Sequence, residues 1–169
     1  MRNYRIQRTK CVSRFAALRS PGGMQRTFTR VLLVVFGLVE LPVGLWPLVS
    51  PDGFYRDFPG FRTGWVAMDG PFNEHLIRDF GGLNLALAAI LIGAAVIGTT
   101  AVARLAALAT FLFGLPHFLY HLGHVSHFEP VDQVLIVATT ALGAVLPIVV
   151  ALIPSRVSIP KEGATPATP

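Results

Sequence analysis

Four apolar runs, at residues 31–49, 80–103, 105–120 and 134–153, constrain this chain more than any motif in it. Each is about as long as the roughly 20 residues that an α-helix needs to cross about 30 Å of hydrocarbon. Lipid offers backbone N–H and C=O groups no partner, so a spanning run is a helix unless it alternates polar and apolar residues as a barrel strand does. None of these runs alternates. A chain of 169 residues that is 53% hydrophobic and 14% charged also lies outside the usual range of a soluble domain. The expected fold is an all-α membrane protein, a four-transmembrane-helix bundle, with helices at about 28–50, 74–99, 102–124 and 131–154. The third run is the shortest and is extended through His121 to His124.

Orientation follows from the basic residues. Eight of the fourteen lie in the first thirty positions, Arg104 sits in the short second loop, and Arg156 and Lys161 follow the last helix. The first and third loops hold Asp52, Asp57, Asp69, Glu74, Asp79, Glu129 and Asp132 against Arg56, Arg62 and Arg78. The positive-inside rule therefore predicts a multi-pass protein of the plasma (inner) membrane with both termini in the cytoplasm. The same asymmetry accounts for the net charge of +5, and no nucleic-acid partner is expected. Residues 1–27 read as a basic cytoplasmic extension, with Met24 as an alternative start, and the Pro/Thr/Ala-rich tail, residues 155–169, reads as disordered.

Cys11 is the single cysteine, which rules out intramolecular disulfide chemistry and with it the membrane thiol oxidoreductases. The sequence contains no glycine-rich phosphate loop, HExxH or GxSxG. Without a motif that specifies a reaction, enzymatic activity is left open.

The polar residues within the apolar runs carry the information about a site. Glu40 falls near mid-bilayer, where an unpaired charge is costly, so it must face protein or be protonated. Gly37 and Gly44 share its face, and Pro42 and Pro47 loosen the helix beyond it. Asn84 reaches a similar depth in the second helix beside Gly81 and Ala88, and is expected to meet Glu40, either as a buried hydrogen bond that fixes register or as a ligand-facing pair. In the third helix His117, His121 and His124 recur at i, i+4 and i+7 and form a column that His127 continues into the loop. Two histidines four apart on a helix can chelate a transition metal, so these three are the candidate metal ligands. Haem is disfavoured, because a bis-histidine site needs ligands from opposed helices and only His75 lies on a helix other than the third.

At the start of the second helix, Glu74 pairs with Arg78 and His75 with Asp79 at i, i+4. A helix N-terminus favours the acids but gains nothing from Arg78 and His75. Both are therefore expected to turn inward, so that Arg78, Asp79, His117 and His121 line one polar cavity in the outer half of the bundle. Gly81, Gly82 and Gly114 would let the second and third helices approach. Between the first two spans, the loop with Phe54, Tyr55, Phe58, Phe61 and Trp65 reads as an interfacial aromatic belt in preference to a lid.

The stretches NEHLIRDFGGLNLALA and GLPHFLYHLGH, set in a four-helix layout, resemble a group of small, largely actinobacterial membrane proteins of unassigned function near the DoxX-like set. The resemblance spans roughly residues 28–153. It implies a four-helix inner-membrane bundle and supplies no substrate. The expected function is binding of a small apolar or amphiphilic ligand, of lipid or quinone type, in an outward-facing polar pocket built from Glu40, Glu74, His75, Arg78, Asp79, Asn84, His117 and His121. The alternatives are an assembly partner in a membrane complex without chemistry, and a transition-metal-binding protein that uses the histidine column.

Overall fold

The computed structural model describes residues 21–62 and 64–153. Most of the basic extension, with Cys11, and the 155–169 tail lie outside the described residues. The described chain is all-α, without strands. Its long helices are α1 (Pro21–Val49), α4 (Glu74–Ile97), α5 (Thr100–His124) and α6 (Pro130–Leu152). Between α1 and α4 lie two short helices, α2 (Pro51–Asp57) and α3 (Trp65–Asp69), and a 3-10 turn at Val125–His127 links α5 to α6. All four long helices are long and apolar enough to cross a membrane, and the protein is a multi-pass membrane protein.

Local sequence sets the helix ends. Asn73 Oδ1 accepts from the Leu76 N–H at 3.1 Å and starts α4, while Thr99 Oγ1 accepts from the Val102 N–H at 3.4 Å and starts α5. Gly98, at φ 71°, takes the left-handed conformation that stops α4 and leaves room for the Arg30 guanidinium beside it. Only α1 departs much from its expected bounds. Its described part reaches back to Pro21 rather than to near residue 28, because no proline interrupts the helix between Pro21 and the apolar run.

Each long helix presents a seam with steps of three and four residues. In α1 the seam is Leu33, Gly37, Glu40, Gly44 and Pro47, all buried except the half-buried Glu40; in α4 it is Gly81, Asn84, Ala88, Leu91 and Ala95, all buried. Without a hydrophobic driving force between helices in lipid, small residues at such seams are what allow close packing. A Cβ on Gly44 would lie 2.7 Å from the Leu85 nitrogen, and one on Gly81 would lie 2.9 Å from the Gly44 oxygen. On α5, a Cβ at Gly114 would fall 2.6 Å from the Gly143 oxygen of α6. The bundle is thus two tight pairs, α1 with α4 and α5 with α6. Leu33, Leu91, Ala106 and Val150 join all four helices at the end where α1 begins.

This corrects one expectation from the sequence. Gly81 serves the contact with α1 and Gly114 the contact with α6, while Gly82 faces open space. Small residues in a run show that a face is crowded; they do not say which neighbour crowds it.

At the opposite end, residues 50–73 fold over the bundle as a cap. Phe54 is 2% exposed, with its ring 4.7 Å from Phe58, 5.8 Å from Trp46 and 5.9 Å from Phe80. Trp65 packs with Phe128 and Ile136. A tryptophan buried to this extent needs a partner for its N–H, and Asp132 of α6 provides it: Trp65 Nε1 donates to Asp132 Oδ1 at 3.0 Å. Arg62 Nη2 donates to Oδ2 at 3.0 Å, and Arg62 Nε forms an ion pair with the same carboxylate. Phe54 and Trp65 of this aromatic loop therefore cap the bundle, while Phe61 remains 72% exposed.

Candidate functional site beneath the cap

The last residue of α3 carries the cap's chemistry to the histidine column. Asp69 Oδ2 lies 3.8 Å from His121 Nδ1 of α5, and Asp69 Oδ1 lies 3.7 Å from His127 Nε2. Both separations exceed a hydrogen bond, yet Asp69 Oδ1 and His121 Nδ1 are buried without a hydrogen-bond partner among the described residues. Such atoms are uncommon because desolvation without a partner is costly.

An aromatic track leads from this cluster toward the middle of the bundle. The His121 ring meets His117 edge-on at 4.7 Å, and His117 stacks on Phe113 at 5.3 Å. Phe80 of α4 completes the track, 6.1 Å from Phe113 and 6.3 Å from His117. The site therefore lies on the looser α4/α5 seam, between the two tight helix pairs. One end offers a carboxylate and imidazole nitrogens; the other offers aromatic faces. A neutral imidazole presents one donor and one acceptor nitrogen, so the polar end can both give and accept hydrogen bonds.

The residues singled out in the sequence divide into three groups. His117 and His121 belong to the site. The α4 cluster turns away from it: Arg78 Nε donates to Glu74 Oε1 at 2.8 Å and Arg78 Nη1 to the Leu48 carbonyl of α1 at 2.6 Å, while His75 and Asp79 pair at 3.2 Å on the exposed surface. The expected continuous cavity through Arg78 and Asp79 is thus not formed. Glu40 and Asn84 make up the third group, on the α1/α4 seam. Asn84 Nδ2 donates to the Phe80 carbonyl at 2.7 Å, and no hydrogen bond joins Asn84 to Glu40.

The three-histidine metal site also needs correction. His124 stacks on Tyr120 at 4.2 Å and its Nδ1 lies 2.7 Å from the Tyr120 carbonyl oxygen, which turns the ring back along its own helix. Among the described residues no three His, Cys, Asp or Glu side chains converge as metal ligands. Asp69 is the residue that sequence reasoning missed. Its signal was faint: WVAMD is a five-residue segment bracketed by Gly64 and Gly70, marking a short ordered element rather than a loop.

Comparisons with protein-family models, with curated proteins and with solved structures return no match.

Proposed function

We propose that this protein binds a small amphiphilic molecule, of lipid or quinone type, on the α4/α5 seam beneath the cap. The observation that carries this reading is that Asp69 Oδ1 and His121 Nδ1, buried at the end of an aromatic track, have no hydrogen-bond partner among the described residues and only long ion-pair contacts. A polar head group there would satisfy both atoms, and an apolar body would lie along Phe80, Phe113 and His117. A cavity of about 10 Å³ between Leu33, Leu91, Thr110 and Pro147, on the other side of the bundle's middle, is too small for such a ligand. In this reading the cap is the part that moves to admit it. The kinship with the DoxX-like set belongs to the same proposal and is supported by the four-helix layout.

Native mass spectrometry of protein extracted with its own lipids tests the reading. Wild-type protein should carry one amphiphile, and His121→Leu and Asp69→Leu should each weaken its binding at least about tenfold, in line with about 1.5–3 kcal/mol for a hydrogen bond to a charged group. Arg78→Ala should retain it. No adduct on the wild type, or equal occupancy in all variants, would remove the support. A copurifying helical protein in place of the adduct would favour the assembly-partner reading.

We further propose that the cap faces outward across the inner membrane, with both termini in the cytoplasm. The excess of basic residues at the opposite end supports this orientation. In a Cys11→Ser background, cysteines at Asp57 and Ser126 should react with an impermeant thiol reagent in intact cells, and one at Thr100 should not. The reverse pattern would invert the protein.

A further inference from the structure

Glu40 stands apart from the site beneath the cap. It is nine residues short of Val49, the end of α1, which places it about 13 Å inside that end of a helix crossing about 30 Å of hydrocarbon. It is the single ionisable residue between Arg30 and Asp52. Gly37 and Gly44, one turn to either side, are buried against Ile92 and Leu85 of α4. Glu40 occupies the centre of the same seam yet is only half-buried, and it forms no hydrogen bond or ion pair with a described residue.

No charge on the described helices is available to compensate it. α4, packed against it, has no ionisable residue between Asp79 and Arg104; α5 has none between Arg104 and His117; and α6 has none between Asp132 and its end at Leu152. A carboxylate at that depth without a counter-ion is strongly disfavoured, whereas a neutral carboxylic acid is tolerated. Its uncovered part emerges between Leu41 and Val39, both exposed on the surface of a helix that spans the bilayer.

We propose that Glu40 is an intramembrane proton-binding site, held as the carboxylic acid and open to the bilayer. This goes beyond ligand binding beneath the cap and does not depend on it. The site has a characteristic reactivity. A protonated carboxyl adds across a C=N bond of a carbodiimide: its oxygen bonds to the central carbon, its proton passes to nitrogen, and an O-acylisourea forms. Migration of the acyl group from oxygen to the neighbouring nitrogen then gives a stable N-acylurea, with no leaving group and no redox change.

The experiment treats membranes containing the full-length protein at neutral pH with dicyclohexylcarbodiimide, which partitions into lipid. A parallel sample receives a water-soluble carbodiimide and an amine nucleophile, and both are mapped by peptide mass spectrometry. The expected result is a single N-acylurea on Glu40 from the lipid-soluble reagent, absent in Glu40→Gln. The water-soluble reagent should modify the exposed Glu129 at least tenfold more than Glu40. Gel filtration of Glu40→Gln checks that the variant still folds; if it does not, Glu40→Asp, which retains a carboxyl, should still be labelled by the lipid-soluble reagent. An unmodified Glu40 in folded wild-type protein would overturn the proposal, as would equal modification by both reagents, which would place the carboxyl in water.

Discussion

Replacing Asp132 with alanine should release the cap and lower stability by about 2–4 kcal/mol. Asp132 is 7% exposed, and its carboxylate holds two cap residues at once. Its loss strands the Trp65 N–H in a buried setting, at about 1–3 kcal/mol for an unsatisfied donor. It also breaks the pair with Arg62, whose contribution is smaller because that side chain is 36% exposed and can return to water. Asp132→Asn keeps an acceptor for Trp65 and should lose about half as much. Thermal unfolding in one detergent gives the magnitude, and trypsin gives the location: cleavage after Arg56 and Arg62 should accelerate in Asp132→Ala well before the bundle melts. Unchanged melting together with unchanged cleavage would mean that the cap is held by its aromatic contacts alone.

The four spans were legible because hydropathy and length together leave a spanning helix no alternative. So was part of their packing: the small-residue face of Gly37 and Gly44, and its match to Gly81 and Ala88, follow from spacing, and α1 and α4 do meet there. The chemistry at the cap end was harder to read. Arg78 was expected to seek a carboxylate or the histidines, because only side chains are visible as acceptors in a sequence. The structure gives it the expected Glu74 carboxylate one turn away, but in place of the histidines it adds the Leu48 carbonyl, one of the backbone groups left open in the last turn of α1, where a cation also suits the helix dipole. Trp65 and Asp132 are 67 positions apart, and neither local pattern nor hydropathy pairs them. Asp69 reaches His121 only because the cap folds inward, a tertiary event driven by Phe54 and Trp65 leaving water.

The second large effect is expected at Gly114, and it separates the helix pairing seen here from the one spacing suggests. A Cβ at this position would meet the Gly143 oxygen at 2.6 Å and the Gly143 carbonyl carbon at 2.9 Å. Both are backbone atoms, so no rotamer change relieves the clash and α5 must move away from α6. Alanine gains about 1 kcal/mol of helix propensity over glycine, but overpacking of this kind costs about 1–3 kcal/mol and parting two helix backbones lies at its upper end. Gly114→Ala should therefore lose about 1–2 kcal/mol net, and Gly114→Val more. Gly82→Ala and Gly143→Ala are the controls: nothing lies within 4 Å of either added Cβ, so both should be neutral or gain up to about 1 kcal/mol. If Gly82 and Gly114 instead joined α4 to α5, the two alanine variants would fail together. His117 and His121 lie one and two turns beyond Gly114 on the same face, so a displaced α5 should also carry them away from Asp69. Gly114→Ala should thus lose bound amphiphile along with stability, while Gly82→Ala keeps both; equal melting of these two variants would refute the pairing of α5 with α6.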